Sequence, residues 1–407
     1  MSQKRWIVII LGMSVLFSAF LLWISGAPLP QRPAAPTVSA TSSPPAIVPA
    51  TVPVIVTEPP TATPTATPVP KLNLGVQGQF IGPEGDAGIR LAADLGVGWI
   101  KQQVDWNSTE YARGLYHWGE LDHVVAEAQK HGLKILFSVA RAPGFSRSEP
   151  VEEDGPPNDF SIFRDFMYAL SNRYKGNVAA YELWNEPNLR REWRGFELSA
   201  EKFVELIKAG ASGVRAGDPA ASIISGAPAT TGIDDKINAI DDRVYLRAMI
   251  AAGVADYVDA IGAHPYGAGN PPDERAADAA HVRSGFNTHP SFFFLDTIED
   301  YHAILLEAKI DLPIWITEFG WPSIDQFGEV DTSGWEYARE VTEEDQAAYL
   351  LRSIELRRDR VWVGPLMIWN LNIAPLLGAD RSESAYGLIR PDGSLRPAYQ
   401  QLRSAGE

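Results

Sequence analysis

Lys130-His131-Gly132-Leu133-Lys134-Ile135-Leu136 closes a helix with basic residues and a glycine, then opens a strand within three residues. Basic side chains complement the carbonyl end of a helix, and glycine takes the left-handed angle that turns the chain out of it. The same passage recurs at Asp94-Leu95-Gly96-Val97. Outward from these two turns, short apolar runs alternate with amphipathic stretches from Lys71 onward. Eight runs read as strands, at 72–76, 99–104, 134–140, 179–184, 222–226, 260–264, 313–317 and 366–369. Eight stretches of helical period separate and follow them, at 87–95, 118–130, 161–174, 200–215, 244–252, 295–308, 343–358 and 397–403. Nearly all-apolar strands spaced by helices form a parallel sheet whose outer face those helices cover. Eight such units in residues 71–407 predict an α/β chain with a (β/α)8 barrel, not an open doubly wound sheet. No glycine-rich dinucleotide loop follows the first strand, where the chain reads Leu74-Gly75-Val76-Gln77-Gly78-Gln79.

Composition agrees with one large domain plus appendages: 45% of the 407 residues are hydrophobic and 21% are charged. There are no cysteines, which removes disulfides, thiolate catalysis and cysteine-ligated metal. The net charge is -16, and the N-terminal 70 residues hold Lys4, Arg5 and Arg32 against Glu58. Residues 71–407 therefore carry 32 basic and 50 acidic side chains, a net of -18. Such a field repels nucleic acid, which is excluded as a partner.

Lys4 and Arg5 precede an uncharged run, WIVIILGMSVLFSAFLLWI, from Trp6 to Ile24. The run is long enough to cross a bilayer as a helix, and Ser25-Gly26-Ala27 supplies small residues resembling a cleavage site. Residues 1–27 are thus expected to be a retained membrane anchor or a cleaved signal peptide, with length favouring the anchor. In both cases the rest of the chain is extracytoplasmic. Residues 28–70 contain 13 of the 31 prolines and 8 threonines, a composition that cannot pack a core. Proline fixes φ and removes hydrogen-bond donors, so a disordered, extended linker is expected. The folded domain is expected over 71–407.

A barrel of this kind builds its site at the carboxyl ends of the strands. Polar and aromatic residues collect there. Lys101, Gln102, Asp105 and Trp106 belong to the second strand and its end, Arg141 to the third, Asn185 and Glu186 to the fourth. His264 and Tyr266 end the sixth, Glu318 and Trp321 the seventh, and Trp369 and Asn370 the eighth. Glu186 stands in Tyr181-Glu182-Leu183-Trp184-Asn185-Glu186-Pro187-Asn188, and Glu318 in Pro313-Ile314-Trp315-Ile316-Thr317-Glu318-Phe319-Gly320-Trp321. The tryptophans beside both acids predict apolar walls with little room for counter-ions, which would raise a carboxyl pKa. Two carboxylates facing each other over a barrel mouth suit glycosidic bond cleavage, in which one donates a proton and the other attacks carbon.

At Trp184-Asn185-Glu186-Pro187, with Glu318 arriving 132 residues later, the chain resembles the retaining glycoside hydrolases of clan A. The wording Trp184-Asn185-Glu186-Pro187-Asn188-Leu189 is most similar to family 39 and its neighbours in families 5 and 51. The resemblance covers residues 72–402. It implies a retaining β-glycosidase acting on a polysaccharide or oligosaccharide, with Glu186 as acid/base and Glu318 as nucleophile. It further implies that Asn185 binds the sugar 2-hydroxyl, that His264 and Tyr266 line the cleavage subsite, and that Trp369 is a platform under the sugar. Two positions depart from the clan pattern, because Lys101 stands where an arginine is usual and Arg141 near the place of a histidine. A non-catalytic glycan-binding protein and a transglycosylase are the alternatives.

Trp106 and Trp321 are candidates for stacking on sugar faces, and for core packing instead. Asp234-Asp235 and Asp241-Asp242 lack the alternating spacing of a calcium loop and read as solvated acids at a helix start. No metal or organic cofactor is implied, and the expected oligomeric state is a monomer.

Overall fold

The computed structural model describes residues 72–148, 154–279, 286, 289–325 and 327–405. The expected anchor or signal segment and the Pro/Thr-rich linker lie outside the described residues. Among those residues, no helix is long and apolar enough to cross a membrane.

All eight expected strands form: β1 (Leu72–Gln77), β2 (Val97–Asp105), β3 (Lys134–Ala140), β4 (Ala180–Leu183), β5 (Ser222–Ser225), β6 (Ile261–Ala263), β7 (Ile314–Phe319) and β8 (Val363–Trp369). They pair in parallel in the order β5-β4-β3-β2-β1-β8-β7-β6. A parallel bridge between Ile224 and Ala260 joins β5 to the start of β6 and closes the ring. The helices α1 (Gly85–Asp94), α2 (Gly119–Lys130), α3 (Phe160–Arg173), α4 (Ala200–Gly217), α5 (Asp242–Ala251), α6 (Phe294–Glu307), α7 (Glu343–Arg358) and α8 (Pro397–Ala405) alternate with them. The fold is a (β/α)8 barrel.

Strand period sorts the apolar residues into two layers. Ile100, Phe137, Tyr181, Ile223, Ile316 and Ile368 point outward and join the buried faces of the helices. Trp99, Leu136, Ala180, Ile224, Ala260, Trp315 and Met367 form a separate cluster that plugs the barrel interior. Gly75 completes this layer because it has no side chain: a Cβ there would stand 2.3 Å from Met367 Sδ and 2.7 Å from Trp99 Cβ.

Local chemistry sets the helix starts. Thr342 and Asp345 form a reciprocal capping box at α7, and Ser199 accepts from the Lys202 amide at α4. Asp241 caps α5 by accepting from the Arg243 and Val244 amides. Asp242 corrects the sequence expectation of a solvated acid. It is fully buried, accepts from Ser291 Oγ at 2.5 Å and pairs with Arg243 at 2.9 Å. Helix α5 turns this side chain inward, where only a partnered carboxylate is tolerated.

The loops at the strand carboxyl ends pack on one another. Leu189 after β4 meets Ala229 and Ala239 after β5. Ala268 and Phe286 after β6 meet Trp335, Tyr337 and Ala338 after β7 and Ala385 after β8. These two small cores support the rim of the barrel mouth.

Candidate active site

Beyond the apolar plug the barrel interior becomes polar and charged. Lys101 on β2 and Glu182 on β4 both point inward and are buried. Lys101 Nζ lies 2.9 Å from Glu182 Oε2 and 3.0 Å from Glu318 Oε1, and donates to the Thr317 carbonyl at 3.1 Å. Burial works against the ammonium, but Glu182 and Glu318 outweigh it and raise the lysine pKa. Burial likewise opposes ionisation of Glu182, and here Lys101 and His264 prevail, holding its carboxyl below the ordinary value.

His264 follows β6 and is fully buried. Its Nδ1 lies 3.2 Å from Glu186 Oε1 and 3.8 Å from Glu318 Oε2. Since both oxygens touch one nitrogen, they are separated by no more than the sum of 3.2 and 3.8 Å, about 7 Å. Burial pushes the imidazole pKa down, yet the carboxylates of Glu318 and Glu186 leave it raised. Tyr266 donates its hydroxyl to Glu318 Oε2 at 2.8 Å. Arg191 donates from Nη2 to Glu186 Oε2 at 2.7 Å. Glu186 and Glu318 are each 8% exposed, so each keeps an edge open to the mouth.

Charged partners meet the Glu186 carboxyl in place of apolar walls, which corrects the expected direction of its shift. Burial does raise its pKa, but His264 and Arg191 overcome it and hold the carboxyl at about 2. The flanking tryptophans face elsewhere. Trp184 adopts φ 80° and Glu186 φ 41°, a left-handed region that non-glycine residues enter only when their surroundings enforce it. The Trp184 indole packs edge-on against Phe163 and Trp193 in the helix layer and donates to the Glu192 carbonyl. A Cβ on Gly226 would stand 2.6 Å from the Trp184 carbonyl oxygen, so glycine permits this tight exit from β4. Trp315 belongs to the interior plug.

Of the remaining sequence candidates, Asn185 is half-buried beside Glu186. Trp369 is half-buried at the end of β8, edge-on to Tyr266 and to Tyr386 at centroid distances of 6.0 and 5.0 Å. Arg141 pairs with Asp154 at 3.2 Å and Asp105 at 3.6 Å. Trp106 and Trp321 are enclosed in the protein, and their expected contact with sugar is corrected. Both are fully buried; Trp106 stacks on Phe166 and donates to Glu110, and Trp321 donates to the Asn270 carbonyl. An indole enclosed on both faces and bonded at its N–H has no surface left for a ligand.

No protein-family model matches the chain. The endo-1,4-beta-xylanase 3 of Hypocrea jecorina is 26% identical over 189 residues, which are 43% of this chain and 50% of that protein. The chain thus spans about half the length of the curated relatives it matches. A family 39 glycoside hydrolase from the gut symbiont Bacteroides cellulosilyticus WH2 superimposes with a TM-score of 0.61 at 22% identity, over 82% of this chain and 63% of that one. Xylanase 10B of Thermotoga maritima does so at 0.54 and 14%, over 83% and 96%. A GH5_18 protein of Streptomyces cattleya, solved with GlcNAc, gives 0.55 and 16%, over 79% and 73%. The chain shares its (β/α)8 barrel fold with these glycoside hydrolases.

Within this barrel, sequence reasoning missed Glu182, Arg191 and Glu192. A charged residue at an inward position of an apolar strand was the available signal for Glu182. Arg191 and Glu192 stand in the short turn Arg190–Glu192, five and six residues after Glu186, and the turn folds them back over it. One group of metal-ligand type occurs among the described residues, Asp86, His123 and Glu127 on α1 and α2. In it His123 bonds to Asp86, and Glu127 already pairs with Lys130.

Proposed function

We propose that the protein is a retaining β-glycosidase acting on a polysaccharide or oligosaccharide, with Glu318 as nucleophile and Glu186 as acid/base. One observation carries this reading: carboxylates from the ends of β4 and β7 converge on a single imidazole nitrogen and hold different partners. Retention requires carboxyl groups about 5–5.5 Å apart. The separation of at most about 7 Å imposed by His264 is compatible with that spacing.

Lys101 and Tyr266 both donate to Glu318 and fix the orientation of the carboxyl that would attack an anomeric carbon. Glu186 reaches the mouth with one edge and can protonate a departing oxygen once it carries a proton. After glycosyl transfer the same carboxylate would draw a proton from water. Half-buried Asn185, Tyr266 and Trp369 offer an amide, a phenol and an aromatic face to a sugar ring. The names of the structural neighbours, glycoside hydrolases and xylanases, support the substrate class. The proposal extends to an extracytoplasmic monomer whose catalytic domain, 71–407, is joined through the linker 28–70 to the membrane by residues 1–27.

The test is hydrolysis of a glycan panel by wild type, Glu186→Gln and Glu318→Gln, with trapping by activated fluoro-sugars. Loss of turnover in both variants and labelling of Glu318 are expected. Activity that survives both substitutions would overturn the reading.

A further inference from the structure

Glu186 presents a difficulty that its neighbours resolve. A general acid must carry a proton, yet this carboxylate sits in a direct ion pair with Arg191 and beside His264. The same guanidinium faces a second carboxylate. Its Nε lies 3.5 Å from Glu192 Oε1 while its Nη2 lies 2.7 Å from Glu186 Oε2. Arg191 therefore spans two acids on one loop, and a small rotation exchanges the closer partner for the farther one. The adjacent Arg190 differs, since the carbonyls of Ile237 and Phe196 pin it.

We infer that Arg191 is a two-position device which, by moving from Glu186 to Glu192, lets a proton pass from the Glu192 carboxyl to Glu186. The inference rests on the assignment of Glu186 as general acid. In the resting arrangement Glu186 is ionised and paired, and Glu192 carries the proton. In the active arrangement the guanidinium pairs with ionised Glu192, and Glu186 holds the proton that the leaving group needs. One O–H bond breaks and one forms, through solvent at the small exposed edge of Glu186 and at half-buried Glu192, and the net charge of the three groups is unchanged. That neutrality matters in a poorly solvated pocket, where a step that created charge would be expensive.

The surroundings fit a proton kept on Glu192. Burial, with Asp154 and Glu186 nearby, raises its carboxyl to about 7 despite Arg191 and Arg141. Around the rest of the device, Glu186 faces His264 and Arg191, and Arg191 also faces Glu383. Glu192, Glu186 and Glu383 all stand about Arg191 and favour its charged form.

The test compares the full chain with Glu192→Gln, Glu192→Asp and Arg191→Gln on two aryl glycosides. The 2,4-dinitrophenyl glycoside departs without a proton, and the phenyl glycoside needs one. General acid catalysis contributes about 10²–10⁴-fold, so Glu192→Gln should lower kcat/KM for the phenyl glycoside at least about tenfold at neutral pH. Its basic limb should move to lower pH, while kcat/KM for the dinitrophenyl glycoside stays within about threefold. Glu192→Asp should restore the phenyl activity. Arg191→Gln frees Glu186 from its cation and should move the basic limb to higher pH, an outcome that does not require Glu192→Gln to fold. Equal losses on both glycosides, or unmoved pH profiles in a working enzyme, overturn the device alone. A wild type that cleaves neither glycoside overturns the glycosidase reading along with it.

Discussion

Lys101 and Glu182 face each other inside the barrel at 2.9 Å, both out of reach of solvent, and the same ammonium holds Glu318 at 3.0 Å. Deleting one partner of a buried pair leaves an uncompensated charge, which typically destabilises by about 3–5 kcal/mol. Lys101→Met should show a loss of that order in urea unfolding, together with loss of turnover. Adding Glu182→Leu should recover much of the stability and none of the turnover, because Glu318 still lacks its cation. Recovery of both would show that the lysine serves packing only.

Tyr266 donates its hydroxyl to Glu318. Tyr266→Phe should therefore keep its stability within about 1 kcal/mol, the usual net worth of one hydrogen bond. It should lower kcat far more than it alters thermal unfolding. A variant whose activity falls only in proportion to its folded fraction would contradict this role.

Glu186 links the site to acid stability. Its carboxyl is depressed from an ordinary 4.5 to about 2 in the folded chain. A depressed carboxyl contributes stability that is present above its unfolded pKa and lost as pH falls through the folded one. The stability of wild type relative to Glu186→Gln should accordingly be constant above about pH 5 and decline towards pH 2. Calorimetric Tm values for both proteins across this range provide the check, and a difference independent of pH would refute it.

Trp106 and Trp369 separate packing from binding. Trp106 is fully enclosed, and large-to-small substitution of a buried aromatic costs about 3–5 kcal/mol. Trp106→Ala should unfold at markedly lower denaturant concentration. Trp369 is half-buried at the mouth, so Trp369→Ala should raise KM for the glycan with a smaller change in stability. The opposite pattern would reverse the two assignments.

The barrel was legible because its signals are local. The glycine turns at Gly96 and Gly132 both adopt positive φ, as their helix-to-strand passages predicted, and each apolar run became a strand with boundaries shifted by a few residues at most. Strand-end position likewise marked Glu186, Glu318, His264 and Tyr266, since parallel strands deliver their carboxyl ends to one rim. The tryptophans misled for a reason visible in the backbone. Trp184 and Glu186 are two residues apart, which on a continuing strand would put them on one face. The strand has ended by then, and the left-handed turn at Trp184 sends the indole into the helix layer while Glu186 enters the mouth.

Sequence alone marked Glu186 and Glu318 for the rim, because chain order and strand position are properties of the chain itself. Only the tertiary structure decided which charged groups those carboxylates meet. Lys101 meets Glu318 across 217 positions of chain, and His264 meets Glu186 across 78. A pKa depends on what lies within a few ångströms in space, and closing the barrel is what brings those partners together.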